Sequence, residues 1–368
     1  MKVDAFDFLL PAELIAQDPV GRGESRLLVL GRVTGKLSHA SIRDLPNYLR
    51  RGDVLVANDT RVFPARLLGH RVPSGGAVEC LLLQPSAADQ EHRTSDLGPR
   101  ISDLGHRLPS SEVWHALMHP GQKLKPGARV VFERDGRELH GEVLERLFFG
   151  RRRIRLSAQD GTVADAIDAI GHIPLPPYIH RADTAQDRQR YQTVFAARRG
   201  SIAAPTAGLH FDAALLAALE DAGVERATVT LHVGYGTFKP VRVEDVEAHV
   251  VDPEPYEISA AAATAINAAL DERRRVIAVG TTTTRALEHA ATADGRVRAG
   301  RTEADLFIYP GFEFRVISGL LTNFHLPKSS LLMLVSAFAG RQRVLDAYRD
   351  AIAERYRFYS YGDAMLVV

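Results

Sequence analysis

The chain has 368 residues, of which 45% are hydrophobic and 25% charged, with a net charge of +1. That is a globular composition with length for one large domain or two smaller ones, and no stretch reaches the roughly 18 apolar residues of a membrane span. The single cysteine, Cys80, excludes an internal disulfide and a cysteine-rich metal site, and it fits a reducing cytosol, whereas the near-neutral charge neither demands nor excludes a nucleic-acid partner.

The N-terminal Met1-Lys-Val-Asp-Ala-Phe-Asp7 carries acids and no long apolar run, so no signal peptide is expected. Ser41 can cap a short helix ending near Arg51-Gly52, and Asp53-Val-Leu-Val-Ala57 then reads as a buried strand leading into Asn58-Asp-Thr-Arg61. From about Arg66 to Leu156 the texture changes. Short β-like runs recur at Val78–Leu83, Glu112–Leu117, Ala128–Phe132, Glu138–Leu144 and Arg152–Leu156. Turn signals separate them at Ser74-Gly-Gly76, Lys125-Pro-Gly127 and Asp135-Gly136, which predicts a small antiparallel barrel. Cys80 falls inside the first run, as a packed strand thiol. The seven-residue tandem Arg93–Pro99 and Arg100–His106 is broken by Gly and Pro, so it reads as a duplicated surface loop rather than a coiled coil. Arg151-Arg-Arg153 is either a basic footprint or a strand edge defended by charge.

From about Ala158 onward helices and strands alternate. Asp212 can cap a helix over Ala213–Asp221, stopped by Gly223. The next strand, Arg226–Val233, places Ala227, Val229, Leu231 and Val233 on one face and Thr228, Thr230 and His232 on the other. Ser259 caps an Ala-rich helix through about Arg273, Arg275-Val-Ile-Ala-Val279 is a buried strand, and Ser329 or Ser330 begins the helix Leu331–Ala339 before a last helix over Arg343–Tyr356. The alternation favours an α/β fold. The expected organisation is a discontinuous α/β core domain, residues 1–65 and 157–368, with an inserted small antiparallel β-barrel domain over 66–156.

Several constellations can carry chemistry. Gly200-Ser-Ile-Ala-Ala-Pro-Thr-Ala-Gly-Leu-His-Phe-Asp212 packs Pro205, Thr206, Gly208 and His210 into a short irregular lead-in to a helix, the kind of loop on which reactive groups concentrate. Gly280-Thr-Thr-Thr-Thr-Arg285 follows a strand and opens a helix, so its N–H groups, hydroxyls and Arg285 suit a carboxylate or phosphate. It is not a P-loop, since no Gly-x-x-x-x-Gly-Lys pattern is present. In His232-Val-Gly-Tyr-Gly-Thr-Phe-Lys239, Gly234 and Gly236 allow close backbone approach, while Tyr235 and Phe238 can stack on a base. His325 in Asn323-Phe-His-Leu-Pro327 precedes a helix as His210 does; with His232 and His249 these are the groups whose ordinary pKa suits proton transfer. Their spacing supports no zinc site. Gly171–Ile179 with Arg181, Arg188, Arg190 and Tyr191 mixes prolines, aromatics and cations, either an RNA-loop surface or a stiffened linker. The aromatic run Tyr356–Met365 is expected to pack in the core or at an interface.

Taken together, Asn58–Arg66, Gly171–Tyr178, Ala204–Phe211, His232–Phe238, Val279–Thr282, Leu321–Pro327 and Tyr356–Met365 resemble the S-adenosylmethionine:tRNA ribosyltransferase-isomerase (QueA) family of queuosine synthesis. The matches run over nearly the whole chain. Departures are small: Tyr235 stands where a smaller residue is expected, Thr283-Thr284 replace a Ser-Val pair, and the 93–106 tandem is an insertion. The resemblance implies an α/β domain interrupted by a small barrel. It implies that the enzyme joins the ribosyl part of S-adenosylmethionine to 7-aminomethyl-7-deazaguanine at the tRNA wobble position. The product is epoxyqueuosine, adenine and methionine leave, and no metal takes part. S-Adenosylmethionine is then a consumed co-substrate and tRNA the partner. Apart from the resemblance, a cytoplasmic monomer or weak oligomer without membrane contact is expected.

The chemistry needs a base for the proton beside the sulfonium and an acid for adenine departure. His210, His232, His249 and His325, with Asp59, are the candidates. Substrate contacts are expected from Arg61, Thr206, Gly208, Phe211, Gly234, Thr237, Phe238, Gly280 and Asn323, and Thr281, Thr282 and Arg285 are expected on the methionine carboxylate. Tyr178, Arg181, Arg190 and Tyr191 are expected to meet the anticodon loop. Two other classes remain open at this point: an S-adenosylmethionine-dependent RNA methyltransferase and a non-catalytic tRNA-binding protein.

Overall fold

The computed structural model describes residues 1–86 and 110–368; the 93–106 tandem lies outside them. Two compact units are present. One comprises Met1–Val62, Pro176–Ala182 and Gln189–Val368, the other Phe63–Leu175 and Asp183–Arg188.

The first unit is built on a nine-stranded mixed sheet. In chain order its strands are β1 (Arg26–Leu30), β2 (Leu37–Ser41), β3 (Val54–Asn58), β12 (Glu225–Leu231), β13 (Glu254–Ile258), β14 (Val276–Val279), β15 (Gly300–Ala304), β16 (Gly319–Asn323) and β17 (Ala364–Val367). Their spatial order is β15-β13-β12-β3-β14-β16-β17-β1-β2. The middle four, β12, β3, β14 and β16, run parallel. Continuous apolar runs such as Val54-Leu-Val-Ala57 and Val276-Ile-Ala-Val279 suit this position, because a parallel strand is covered on both faces. The parallel strands all end at the same edge, at Asn58, Leu231, Val279 and Asn323, and the loops that follow gather there.

The helices of this unit start where local chemistry allows. Asp212 caps α3 (Ala213–Asp221) through the Leu215 N–H at 2.7 Å, Ser259 caps α4 (Ala260–Asp271), and Ser329 caps α6 (Ser330–Ala339). Each cap satisfies a helix N–H that would otherwise lack a partner. Helix α5 (Thr281–Ala290) has no side-chain cap; it begins at Gly280, whose φ of +90° suits glycine. Helix α7 (Arg341–Ala353) follows α6. The helix expected after Ser41 is a 3-10 turn over Ile42–Asn47 with a full capping box between Ser41 and Asp44; Pro46, which lacks an N–H, sits within it.

The second unit holds a closed six-stranded antiparallel barrel in the order β10-β7-β6-β5-β8-β9. The strands are β5 (Arg66–Val72), β6 (Ala77–Pro85), β7 (Ser110–His119), β8 (Arg129–Arg134), β9 (Arg137–Arg146) and β10 (Arg151–Ala158). Alternation fills the interior: Val78, Cys80 and Leu82 point in from β6 and Leu139 and Val143 from β9. Burial pushes the Cys80 thiol far up, so it stays protonated. Helix α1 (Val163–Ile170) packs on the barrel, and α2 (Ala185–Arg190) follows. β10 is paired on both sides, which removes the strand-edge reading of Arg151-Arg-Arg153. Arg152 is 1% exposed and spends its donors on the carbonyls of Gly121, Leu124 and Arg151, so it is no part of a basic surface. The remaining strands, β4 (Thr60–Val62) and β11 (Arg198–Ser201), pair with each other in the first unit.

Candidate active site

A cleft of about 760 Å³ opens at the carboxyl edge of the parallel strands. Open α/β sheets bind ligands in that crevice. Its walls come from the segments after four strands and two more distant loops: Ala203–Ala207 beyond β11, Val233 and Tyr235 beyond β12, Gly280–Thr282 beyond β14, Thr322–Leu331 around the end of β16, Pro177-Tyr178, and Tyr359-Ser360. A second cavity of about 30 Å³ lies beside Arg285 and Phe307 and is too small for a nucleoside.

Three features give the cleft its chemistry. The first is the N-terminus of α5. Gly280, Thr281 and Thr282 line the cleft, and the backbone N–H groups of a first helical turn attract an anion. Asn58 holds this turn against β12: its Nδ2 donates to the Leu231 carbonyl at 2.9 Å and lies 3.4 Å from the Thr282 hydroxyl, while its Oδ1 accepts from Leu231 N–H. The second is an aromatic wall. Tyr178 and Tyr359 lie with ring centroids 4.5 Å apart, and the Tyr178 hydroxyl meets Ser360 Oγ at 2.5 Å. Burial pushes the Tyr178 hydroxyl up to about 12, so it stays protonated.

The third feature is the pair Asn323 and His325. Asn323 Nδ2 donates to the Tyr359 carbonyl at 3.0 Å and lies 3.2 Å from His210 Nε2. A carbonyl only accepts, so it fixes which end of the amide is nitrogen. His210 Nε2 must then accept, which puts the ring proton on Nδ1, 2.8 Å from Ser25 Oγ. This leaves Asn323 Oδ1 buried without a protein partner. Buried polar atoms are rarely left so. Burial pushes the pKa of His210 down to about 4, so its imidazole is neutral, as the acceptor role of Nε2 requires. His325 also lines the cleft, with Nε2 2.8 Å from Thr322 Oγ1, and burial pushes it down to about 3.

The four candidate histidines therefore occupy different surroundings. His325 faces the cleft, and His210 stands behind Asn323. His232 is half-buried with Nδ1 2.7 Å from Thr60 Oγ1, and Gly200 leaves the space for its ring, since a Cβ there would stand 2.7 Å from it. Asp59 accepts from Thr230 Oγ1 at 2.5 Å. Neither His232 nor Asp59 lines the cleft. His249 packs edge-on against Phe307, away from the cleft walls.

Among the expected substrate contacts, Thr206, Gly280, Thr281, Thr282 and Asn323 line the cleft. Arg285 does not. Its guanidinium is committed to the Glu254 carboxylate and to the carbonyls of Leu306 (3.1 Å) and Ala304 (3.0 Å), so it has no fork left for a carboxylate ligand. Phe211 is fully buried against Phe195, Gly208 is packed under Thr193, and Arg61 is exposed on β4. Gly234 gives its N–H to Glu254 at 2.8 Å. The backbone of Thr237 and Phe238 ends a 3-10 turn; their side chains lie outside the described set. The expected anticodon-loop contacts are also largely engaged. Arg181 bonds the Gln17 carbonyl and Asp18, and Arg190 the Val20 carbonyl. Tyr191 is 1% exposed and forms cleft wall rather than a surface stacking platform. Tyr359 and Ser360 were missed inside the aromatic run. Tyr359 has φ +73°, a turn that brings these two to the cleft while Tyr356 and Phe358 stay in the core.

The model of the queuosine biosynthesis protein family matches residues 3–367. The chain belongs to this family. It is 48% identical over 369 residues to the S-adenosylmethionine:tRNA ribosyltransferase-isomerase of Desulfitobacterium hafniense, and equally so to that of Moorella thermoacetica, covering 100% of each chain. It is similar to the crystal structure of the S-adenosylmethionine tRNA ribosyltransferase from Thermotoga maritima, with 35% identity, a TM-score of 0.52, and coverage of 99% of this chain and 100% of that one. Family membership extends over the cleft and the barrel alike. Among the described residues no group of three or more His, Cys, Asp or Glu is placed to hold a metal ion, and no helix is long and apolar enough to cross a membrane.

Proposed function

We propose that the chain transfers and isomerises the ribosyl moiety of S-adenosylmethionine onto 7-aminomethyl-7-deazaguanine at the tRNA wobble position, giving epoxyqueuosine with release of adenine and methionine. The observation that carries this reading is the convergence, in one cleft of about 760 Å³, of an anion-seeking helix start, an aromatic wall, an unpaired amide oxygen and a neutral imidazole. The volume lies in the usual range for small-molecule sites.

Each feature answers a need of the reaction. The methionine carboxylate sits at the N-terminus of α5, on Thr281 and Thr282. The sulfonium rests against the Tyr178–Tyr359 wall, where ring faces favour a cation. Asn323 Oδ1 accepts an N–H of the substrate, and His210 acts through Asn323 by holding its amide. His325, unprotonated at neutral pH, is the proton acceptor facing the cleft. The proton beside the sulfonium passes to the base and leaves its electron pair on that carbon. Adenine departs with the electrons of its bond to the sugar and takes up a proton. The neutral amine bonds to the sugar carbon that adenine left and gives up a proton. The carbon's electron pair closes the carbocycle on that same sugar carbon, which releases the ring oxygen. That oxygen closes the epoxide on the carbon beside the sulfonium as methionine departs with the electrons of its carbon–sulfur bond. Arg285 is a brace for the Gly234 loop through Glu254 and makes no substrate contact.

The test is incubation with S-adenosylmethionine and tRNA carrying the aminomethyl base, followed by mass spectrometry. Free adenine, free methionine and an epoxycyclopentane-bearing nucleoside are expected. S-Adenosylhomocysteine would instead make the chain a methyltransferase, and tRNA binding without turnover would make it a binding protein; either result overturns the proposal.

A further inference from the structure

The β9–β10 hairpin breaks two local rules at its tip. It turns through Leu147-Phe-Phe-Gly150 and is closed by the Leu147 N–H on the Arg151 carbonyl at 2.9 Å. Phe149 has φ +56° and Gly150 φ +79°. Asn, Asp or Gly fits the first of such left-handed turn positions, and a phenylalanine is strained there. Phe148 and Phe149 are also 85% and 95% exposed, although apolar side chains gain nothing from water. A sequence that violates turn chemistry and burial at the same two residues marks a contact made outside the fold.

The surroundings select the partner. Arg146 is exposed beside the tip. Lys123 and Lys125, also exposed, lie on the segment after β7 that Arg152 clasps to the hairpin through the carbonyls of Gly121 (2.7 Å) and Leu124 (3.0 Å). None of these three cations has a carboxylate partner among the described residues, whereas Glu142 and Glu145 on β9 are occupied by Arg155 and Arg153. Unpaired cations around two free aromatic faces match phosphates and unstacked bases.

We propose that this hairpin tip is an RNA-docking element of the barrel: Phe148 and Phe149 stack on unpaired bases of tRNA while Lys123, Lys125 and Arg146 hold its phosphates. This rests on the tRNA-modifying reading and assigns to the barrel a role that the cleft chemistry does not supply.

The experiment compares the full chain with F148S/F149N and with K123Q/K125Q/R146Q, measuring the Kd for tRNA by filter binding from 50 to 200 mM salt. Loss of two stacking rings is expected to raise Kd about tenfold or more with the salt slope unchanged. Loss of three cations is expected to flatten the slope by about 2. Asn suits the left-handed position, so the melting temperature of F148S/F149N should not fall. An unchanged Kd in a folded F148S/F149N overturns the proposal while leaving the reaction intact, provided the parent chain binds and modifies tRNA. Altered self-association in sedimentation with an unchanged tRNA Kd also overturns it and makes the tip a contact between copies. A parent chain that neither binds nor modifies tRNA removes the underlying reading itself.

Discussion

Mild acid should destabilise the first unit through its two buried histidines. His210 and His325 are 3% and 9% exposed, and burial holds them at about 4 and about 3. In the unfolded chain each titrates near 6.5. Both rings are therefore neutral when folded at neutral pH, while below about pH 6.5 the unfolded chain binds protons that the folded one refuses. Stability then falls as pH falls, starting at the unfolded value and levelling off only below the folded one. From pH 7.5 to pH 5 the loss is about 2 kcal/mol for each ring, or about 4 kcal/mol together. Carboxylates held below their ordinary range, such as Asp212 by the Leu215 N–H, contribute only below about pH 4 and do not mask the effect. His232 and His249, shifted down by burial, add in the same direction. Urea unfolding followed by circular dichroism at pH 7.5, 6.5 and 5.0 reads the change, and a H210Q/H325Q variant should lose most of the pH dependence. A stability that changes by less than about 1 kcal/mol between pH 7.5 and 5 would refute the assignment of both rings as buried and neutral. The same assignment requires that no limb of the kcat/KM profile between pH 6 and 8 come from either ring.

Two further outcomes follow from the cleft. N323L keeps the branched shape of the side chain but removes both the unpaired Oδ1 and the Nδ2 that bonds the Tyr359 carbonyl and His210; kcat/KM for S-adenosylmethionine should fall at least about 10- to 100-fold, the worth of a hydrogen bond to a charged or strongly polar group, and a fall of less than threefold in folded protein would count against the Oδ1 contact. The Arg285–Glu254 pair is buried, with side chains 11% and 3% exposed. R285A should cost about 3–5 kcal/mol in urea unfolding because it strands Glu254, R285M/E254Q should cost much less, and the double variant should keep the KM for S-adenosylmethionine; a raised KM there would restore Arg285 as a ligand.

What the sequence could and could not show divides along a physical line. Periodicity and caps are local, so the α/β alternation, the helix starts at Asp212, Ser259 and Ser329, and the barrel strands between turn signals were legible. Occupancy of a donor or acceptor is not local. Gly280-Thr-Thr-Thr-Thr-Arg285 reads as five polar side chains at a helix start, and the threonines at its beginning do reach the cleft. Arg285 is one turn further on, and its partners, Glu254 on β13 and the carbonyls of Ala304 and Leu306, are brought to it only by the sheet and the strand that follows. Arg151-Arg-Arg153 looks uniformly basic until the closed barrel turns its middle residue inward. Asn323, by contrast, looks like the weaker ligand on paper. Yet the Tyr359 carbonyl and His210 consume its nitrogen and leave its oxygen unpaired. A residue's fitness to bind is thus set less by its intrinsic donors than by how many the fold has already spent, and that count exists only after Tyr359, 36 residues away in the chain, has turned its carbonyl toward Asn323.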